Sequence, residues 1–111
     1  MKYLGNAFSL AMLPGGDVTV QVREVRAREA REILRPGFTS CVGHESTAQL
    51  LSHKLHLPVE FNRVSVSIRE EDILVVAQLM GERKEYKDMS REEIATYPIK
   101  FFLVRIIPHE E

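Results

Sequence analysis

Ile73-Leu74-Val75-Val76-Ala77-Gln78-Leu79 is the stretch on which the fold turns. Only Gln78 interrupts an otherwise apolar run rich in β-branched residues. A strand with one wet face alternates apolar and polar residues; a strand covered on both faces does not. The run therefore predicts a central strand with apolar layers above and below it. Working outward, Arg69-Glu70-Glu71-Asp72 is a charged turn leading into it. Before that turn, Arg63-Val64-Ser65-Val66-Ser67-Ile68 alternates cleanly and predicts another strand with one apolar face. On the C-terminal side, Ser90-Arg91-Glu92-Glu93 matches a capping box and opens a short helix to about Tyr97. Ile99 to Ile107 is the last strand, and Pro108 to Glu111 is a polar tail. The apolar segment Phe101-Phe102-Leu103-Val104 suits either the interior or a face shared with a second subunit.

The N-terminal half reads by the same rules. Tyr3 to Phe8 is a first strand, and Leu10-Ala11-Met12-Leu13 a single helical turn. Pro14-Gly15-Gly16-Asp17 is a loop. Val18 to Val22 alternates as a strand, and Arg26 to Leu34 is helical by propensity until Pro36-Gly37 ends it. Phe38 to Val42 is a loop. A second helix runs from Ser46 to about His56, capped by Ser46 or Thr47 and stopped before Pro58. The order β, β, α, α, β, β, α, β predicts an α/β fold: a mixed sheet of about five strands with helices packed on it, one small domain over residues 1–111.

Composition narrows the function classes. At 111 residues and 44% hydrophobic, the chain can bury one core. A net charge of −1 provides no global basic field, which argues against duplex DNA as a partner. Any anion must be held by local features. Cys41 is alone, so no intramolecular disulfide forms, as suits a reducing cytoplasm. No apolar run approaches the roughly 18 residues of a membrane span, and Met1-Lys2-Tyr3-Leu4-Gly5-Asn6 is too polar for a signal peptide. A cytoplasmic protein without membrane attachment is expected.

Gly43-His44-Glu45-Ser46-Thr47 carries the chemistry. It sets an imidazole where a loop turns into a helix. The first N–H groups of a helix lack internal partners and carry partial positive charge, so such an end binds phosphate. A histidine there can act as acid or base on that phosphate, although a turn followed by a capped helix is the ordinary use of such a stretch. His53 and His56 lie three apart without a third ligand, and no metal site is expected. Cys41 reads as a small buried residue rather than a nucleophile. Arg26, Arg28 and Arg31 are offset by Glu29 and Glu32 and read as a solvated face.

Several separated pieces fall into one order: Tyr3-Leu4-Gly5-Asn6-Ala7-Phe8-Ser9, Gly43-His44-Glu45-Ser46-Thr47-Ala48, Asn62-Arg63-Val64, Val76-Ala77-Gln78-Leu79, Arg83 and Phe101-Phe102-Leu103-Val104. Together they resemble the type III CRISPR ring nuclease family of viral anti-CRISPR proteins and their cellular relatives, over nearly the whole chain. The resemblance implies a small α/β homodimer that binds cyclic tetra-adenylate. It implies cleavage of that ring to linear di-adenylates without a metal or other cofactor, switching off type III CRISPR effectors. By resemblance, the catalytic histidine falls on His44 and a ligand-contacting serine on Ser9, with Asn6 in the same motif. The basic residue after the asparagine falls on Arg63, and a further arginine on Arg83. The family often carries a glutamate three residues after that arginine. Here Glu85 follows by two, in a loop one residue shorter, and takes the role by resemblance, with Asp88 as the other candidate. Gly43, Glu45, Ser46 and Thr47 complete the expected ligand-binding set.

The chemistry agrees with these residue types. RNA carries its own nucleophile, the 2′-OH beside each phosphate. In-line attack gives a 2′,3′-cyclic phosphate and expels the 5′-oxygen, which needs a proton. An imidazolium suits that task, since an unperturbed histidine titrates at about pH 6.5. A two-fold dimer also matches a ring of an even number of identical units. Two alternatives stand beside this reading: a dimer that sequesters the ring without cleaving it, and a small DNA-binding regulatory protein.

Overall fold

The computed structural model describes residues 1–108. Five strands, β1 (Lys2–Gly5), β2 (Thr19–Val25), β3 (Thr39–Ser40), β4 (Ile73–Leu79) and β5 (Ile99–Ile107), form one mixed sheet in the order β2-β5-β4-β1-β3. β1 runs parallel to β3 and β4, while β5 is antiparallel to β4 and β2. The expected α/β class and five-stranded mixed sheet are therefore found.

β4 is central, and its unbroken apolar run has the anticipated cause. Val75 and Ala77 face one core, shared with Leu4, Val25, Phe101 and Leu103. Helices α1 (Ala27–Leu34) and α2 (Glu45–Leu55) close that core with Ala30, Leu34, Ala48, Leu51 and Leu55. Leu74 and Val76 face a second core with Val104 and Ile106. Among the described residues no α-helix covers this second face. Loops and one 3-10 turn do so instead, through Phe8, Met12, Leu13 and Val18 from one segment and Val66 and Ile68 from another.

That second layer corrects the strand expected at Arg63 to Ile68. The alternation is real: Val66 and Ile68 are buried, while Ser65 and Ser67 are exposed. The segment nevertheless lies across the sheet and joins no ladder; Ile68 N–H donates to the Met12 carbonyl at 2.9 Å. Alternation reports which side chains are buried, and burial on a sheet face satisfies it as well as pairing at an edge. The fifth strand is β3, expected as loop. Its two residues pair with Tyr3 and Leu4, too short a run for any period to show. β1 also stops at Gly5 rather than Phe8, and β2 runs on to Val25. Leu10–Met12 forms the expected single turn, of 3-10 type. Of the predicted tail, His109 to Glu111 lie outside the described residues.

Leu51 is fully buried between α2 and the sheet. Leu51→Ala is expected to cost about 2–5 kcal/mol, the usual range for a cavity left in a packed core. A shift of the urea midpoint at constant slope is the check, and a cost below about 1 kcal/mol would show that the site collapses.

Helix α3 (Arg91–Thr96) begins with the full capping box: Glu93 N–H donates to Ser90 Oγ, and Ser90 N–H donates to Glu93 Oε1, both at 3.1 Å. Lys84 Nζ lies 2.6 Å from Glu93 Oε2. Chiefly that Lys84 hydrogen bond, and then the Ser90 amide, hold the Glu93 carboxyl below its ordinary range. A lowered folded-state value means the stabilisation is present above the unfolded glutamate pKa and is lost as pH falls through the folded one. Glu93→Gln is thus expected to flatten the acid limb of stability against pH, lowering stability slightly at neutral pH and converging with the unaltered protein at low pH. Parallel acid limbs in thermal melts of the two proteins would contradict this.

Candidate functional site

Parallel strands bring their carboxyl ends to one edge of a sheet, and ligands of open α/β sheets bind outside that edge. Here β1, β3 and β4 deliver Asn6, the Val42-Gly43-His44 link and Gln78-Leu79 to the same end. Close packing begins in β1: a Cβ on Gly5 would sit 2.9 Å from Cys41 Sγ. The Cys41 thiol donates to the Leu4 carbonyl at 3.3 Å, and burial pushes its pKa up. It is a half-buried thiol packed against β1, less enclosed than the buried residue expected. One residue on, Asn6 Oδ1 accepts the Gly43 N–H at 3.3 Å and ties the end of β1 to the turn before α2.

His44 itself is the N-cap of α2, where Ser46 or Thr47 was expected. Its backbone is extended, its carbonyl accepts the Ala48 N–H at 3.0 Å, and its side chain makes no capping bond. The imidazole is thereby left exposed at the positive end of the helix. Ser46 and Thr47 lie inside the first turn. Thr47 is buried, and Ser46 Oγ accepts the N–H of Tyr86 from the 3-10 turn Tyr86–Asp88. Ser46 thus fastens the chain after β4 onto the helix that carries His44.

Between these elements lies a groove of about 380 Å³. It brings together Asn6, His44, Ser46, Thr47, Arg83 and Glu85 from the expected set. Glu85 lines it and Asp88 does not. Arg83 and Glu85 are exposed and make no side-chain hydrogen bond among the described residues, leaving both heads available to a ligand. The other expected residues sit differently. Gly43 backs the turn without lining the groove, and the Arg63 stem lies beside it, with Cγ 3.6 Å from where a Gly43 Cβ would be. Glu45 is exposed outside the lining. Ser9 caps the Leu10–Met12 turn, accepting the Ala11 N–H at 3.2 Å.

Four polar lining residues were not anticipated as site residues: Gln78, Lys84, Tyr86 and Tyr97. Gln78 carried a signal, as the single polar residue at the end of an apolar strand. The tyrosines carried none, because only the return of α3 and β5 past the end of β4 brings Tyr97 back. Among the described residues no three His, Cys, Asp or Glu side chains gather as a metal cluster. Nor is any helix there long and apolar enough to cross a membrane.

Residues 2–103, from β1 into β5, match the STIV B116-like family. The chain belongs to that family. Its fold is similar to B116 of Sulfolobus turreted icosahedral virus, with a TM-score of 0.82 and 25% identity over 94% of this chain and 97% of the other. It is also 28% identical to a protein of Sulfolobus islandicus filamentous virus (isolate Iceland/Hveragerdi) designated "Uncharacterized protein 26", over 99% of this chain and 95% of that one. The STIV B116-like family thus includes viral proteins, and its match spans every element that builds the groove.

Proposed function

We propose that this member of the STIV B116-like family is a metal-independent ring nuclease. It cleaves cyclic tetra-adenylate to linear di-adenylates ending in a 2′,3′-cyclic phosphate and so switches off type III CRISPR effectors. The observation that carries the reading is the uncapped His44 imidazole at the start of α2, in one groove with Arg83 and Glu85. The 2′-oxygen attacks phosphorus in line; the new O2′–P bond forms as the P–O5′ bond breaks. His44, as imidazolium, gives its proton to the departing 5′-oxygen. The Glu85 carboxylate takes the 2′-hydroxyl proton. Arg83 and the first amides of α2 neutralise the phosphate, the charge-countering part that a metal plays elsewhere.

A cyclic ligand with two opposite cuts calls for a two-fold dimer. An apolar depression on the loop-covered face supports one. It is lined by Phe8, Val22, Val76 and Phe102, and Asn6 and Gln78 border both it and the groove. Val22 is 56% exposed there, although it lies on a strand of a packed sheet. A second copy seated on this face would bring two grooves side by side over one ring.

The decisive experiment mixes sub-stoichiometric protein with cyclic tetra-adenylate in EDTA and separates the products. Full conversion to di-adenylate with a 2′,3′-cyclic end supports the enzyme. An intact ring that is tightly bound would mean sequestration instead, and no binding at all would defeat both readings.

A further inference from the structure

We infer that Tyr97 is a positioning residue for Arg83 and Glu85, an inference that rests on the cleavage proposed above. Arg83 and Glu85 are exposed and have no side-chain hydrogen bond among the described residues, so the loop backbone sets where they point. That loop leaves β4 after Leu79 and reaches the 3-10 turn at Tyr86. It is pinned at its two ends, where Met80 N–H donates to the Pro98 carbonyl at 2.9 Å and Tyr86 N–H donates to Ser46 Oγ. Between those pins the Tyr97 hydroxyl donates to the Glu82 carbonyl at 3.0 Å, one residue before Arg83. The Asp88 N–H donates to the Glu85 carbonyl at 2.9 Å, but that bond lies within the 3-10 turn itself, and Lys84 to Glu93 joins two side chains that are both more than 40% exposed, a kind of pair that holds little.

A second observation fits the ring to the loop. A Cβ added at Gly81 would lie 2.8 Å from Tyr97 Cε2, 2.9 Å from Cζ and 3.1 Å from Pro98 Cδ. The tyrosine ring occupies the space that any side chain at 81 would need. The close approach requires glycine on one side, and the aromatic ring fills the space on the other. Tyr97 is the C-cap of α3 and is followed, after Pro98, by β5, which is paired on both sides within the sheet. Through this residue the frame of the sheet sets the loop that faces His44. A misplacement of about 1 Å in a reacting group is enough to cost up to about 10²-fold in rate.

Tyr97→Phe removes the hydroxyl and keeps the ring. Gly81→Ala keeps the hydroxyl and displaces the ring. Each is compared with the unaltered protein for kcat and KM on cyclic tetra-adenylate, for melting temperature, and for amide exchange at residues 82–85. Both variants are expected to lose about tenfold or more in kcat with KM within about threefold. Exchange should quicken at 82–85 while the melting temperature barely moves. Unchanged kcat per folded molecule in Tyr97→Phe would overturn the inference. If the unaltered protein does not cleave the ring, the cleavage reading fails by itself. The exchange data then decide separately: quickened exchange upholds Tyr97 as the loop's anchor, and unchanged exchange removes it.

Discussion

His44→Ala is expected to slow cleavage of cyclic tetra-adenylate by about 10²- to 10⁴-fold, the usual contribution of a positioned general acid. In free energy that is roughly 3–5 kcal/mol of lost transition-state stabilisation. Binding of the ring should change only a few-fold. The reason lies in how α2 begins. The backbone of His44 caps the helix while its side chain makes no capping bond, so alanine there removes the imidazole without unpairing a helix amide. Phosphate recognition through the α2 amides and Arg83 is left standing. Rates should be measured in single turnover and binding by titration of the uncleaved ring. Equal rates for the two proteins would end the general-acid role. A parallel loss of binding would make His44 a ligand anchor instead.

The second large effect concerns the substrate. A cyclic tetra-adenylate in which every 2′-hydroxyl is replaced by hydrogen is expected to bind and not be cut. The proposed nucleophile is the ring's own 2′-oxygen, so its removal deletes the attacking atom while the phosphates and bases remain. Cleavage of this analogue would mean that water attacks, and the product would then carry no cyclic phosphate. The role of Glu85 would change with it, from accepting a proton from ribose to accepting one from water. Both experiments use the intact protein, and together they separate loss of the acid from loss of the nucleophile.

Much of the architecture was legible because it rests on local rules. The run from Ile73 to Leu79 announced a strand covered on both faces, and two cores meet it. Ser90 and Glu93 announced a capping box that the chain forms in full. Ile99–Ile107 was bounded correctly because a long apolar run flanked by Pro98 and Pro108 has little freedom in where it ends. The misreadings share a cause. Arg63 to Ile68 buries alternate side chains as a strand does, and only the surrounding chain decides that it lies across a sheet rather than in one. Thr39–Ser40 is a strand solely because β1 runs beside it.

The candidate site divides in the same way. Residue type and local spacing marked His44 as an imidazole at a helix start, and resemblance singled out Asn6, Arg83 and Glu85. Sequence by itself determined the layered α/β class, the central strand and the helix end that favours an anion, because each depends on neighbours a few positions away. Only the tertiary structure decided that Arg83 and Glu85 share a groove with His44, that Ser9 and Glu45 stand outside it, and that Tyr97 anchors the loop. Those relations join residues 15 to about 40 positions apart, through strand order and loop return. Local propensity carries no record of such distances; the packing of β4 between β1 and β5 creates them.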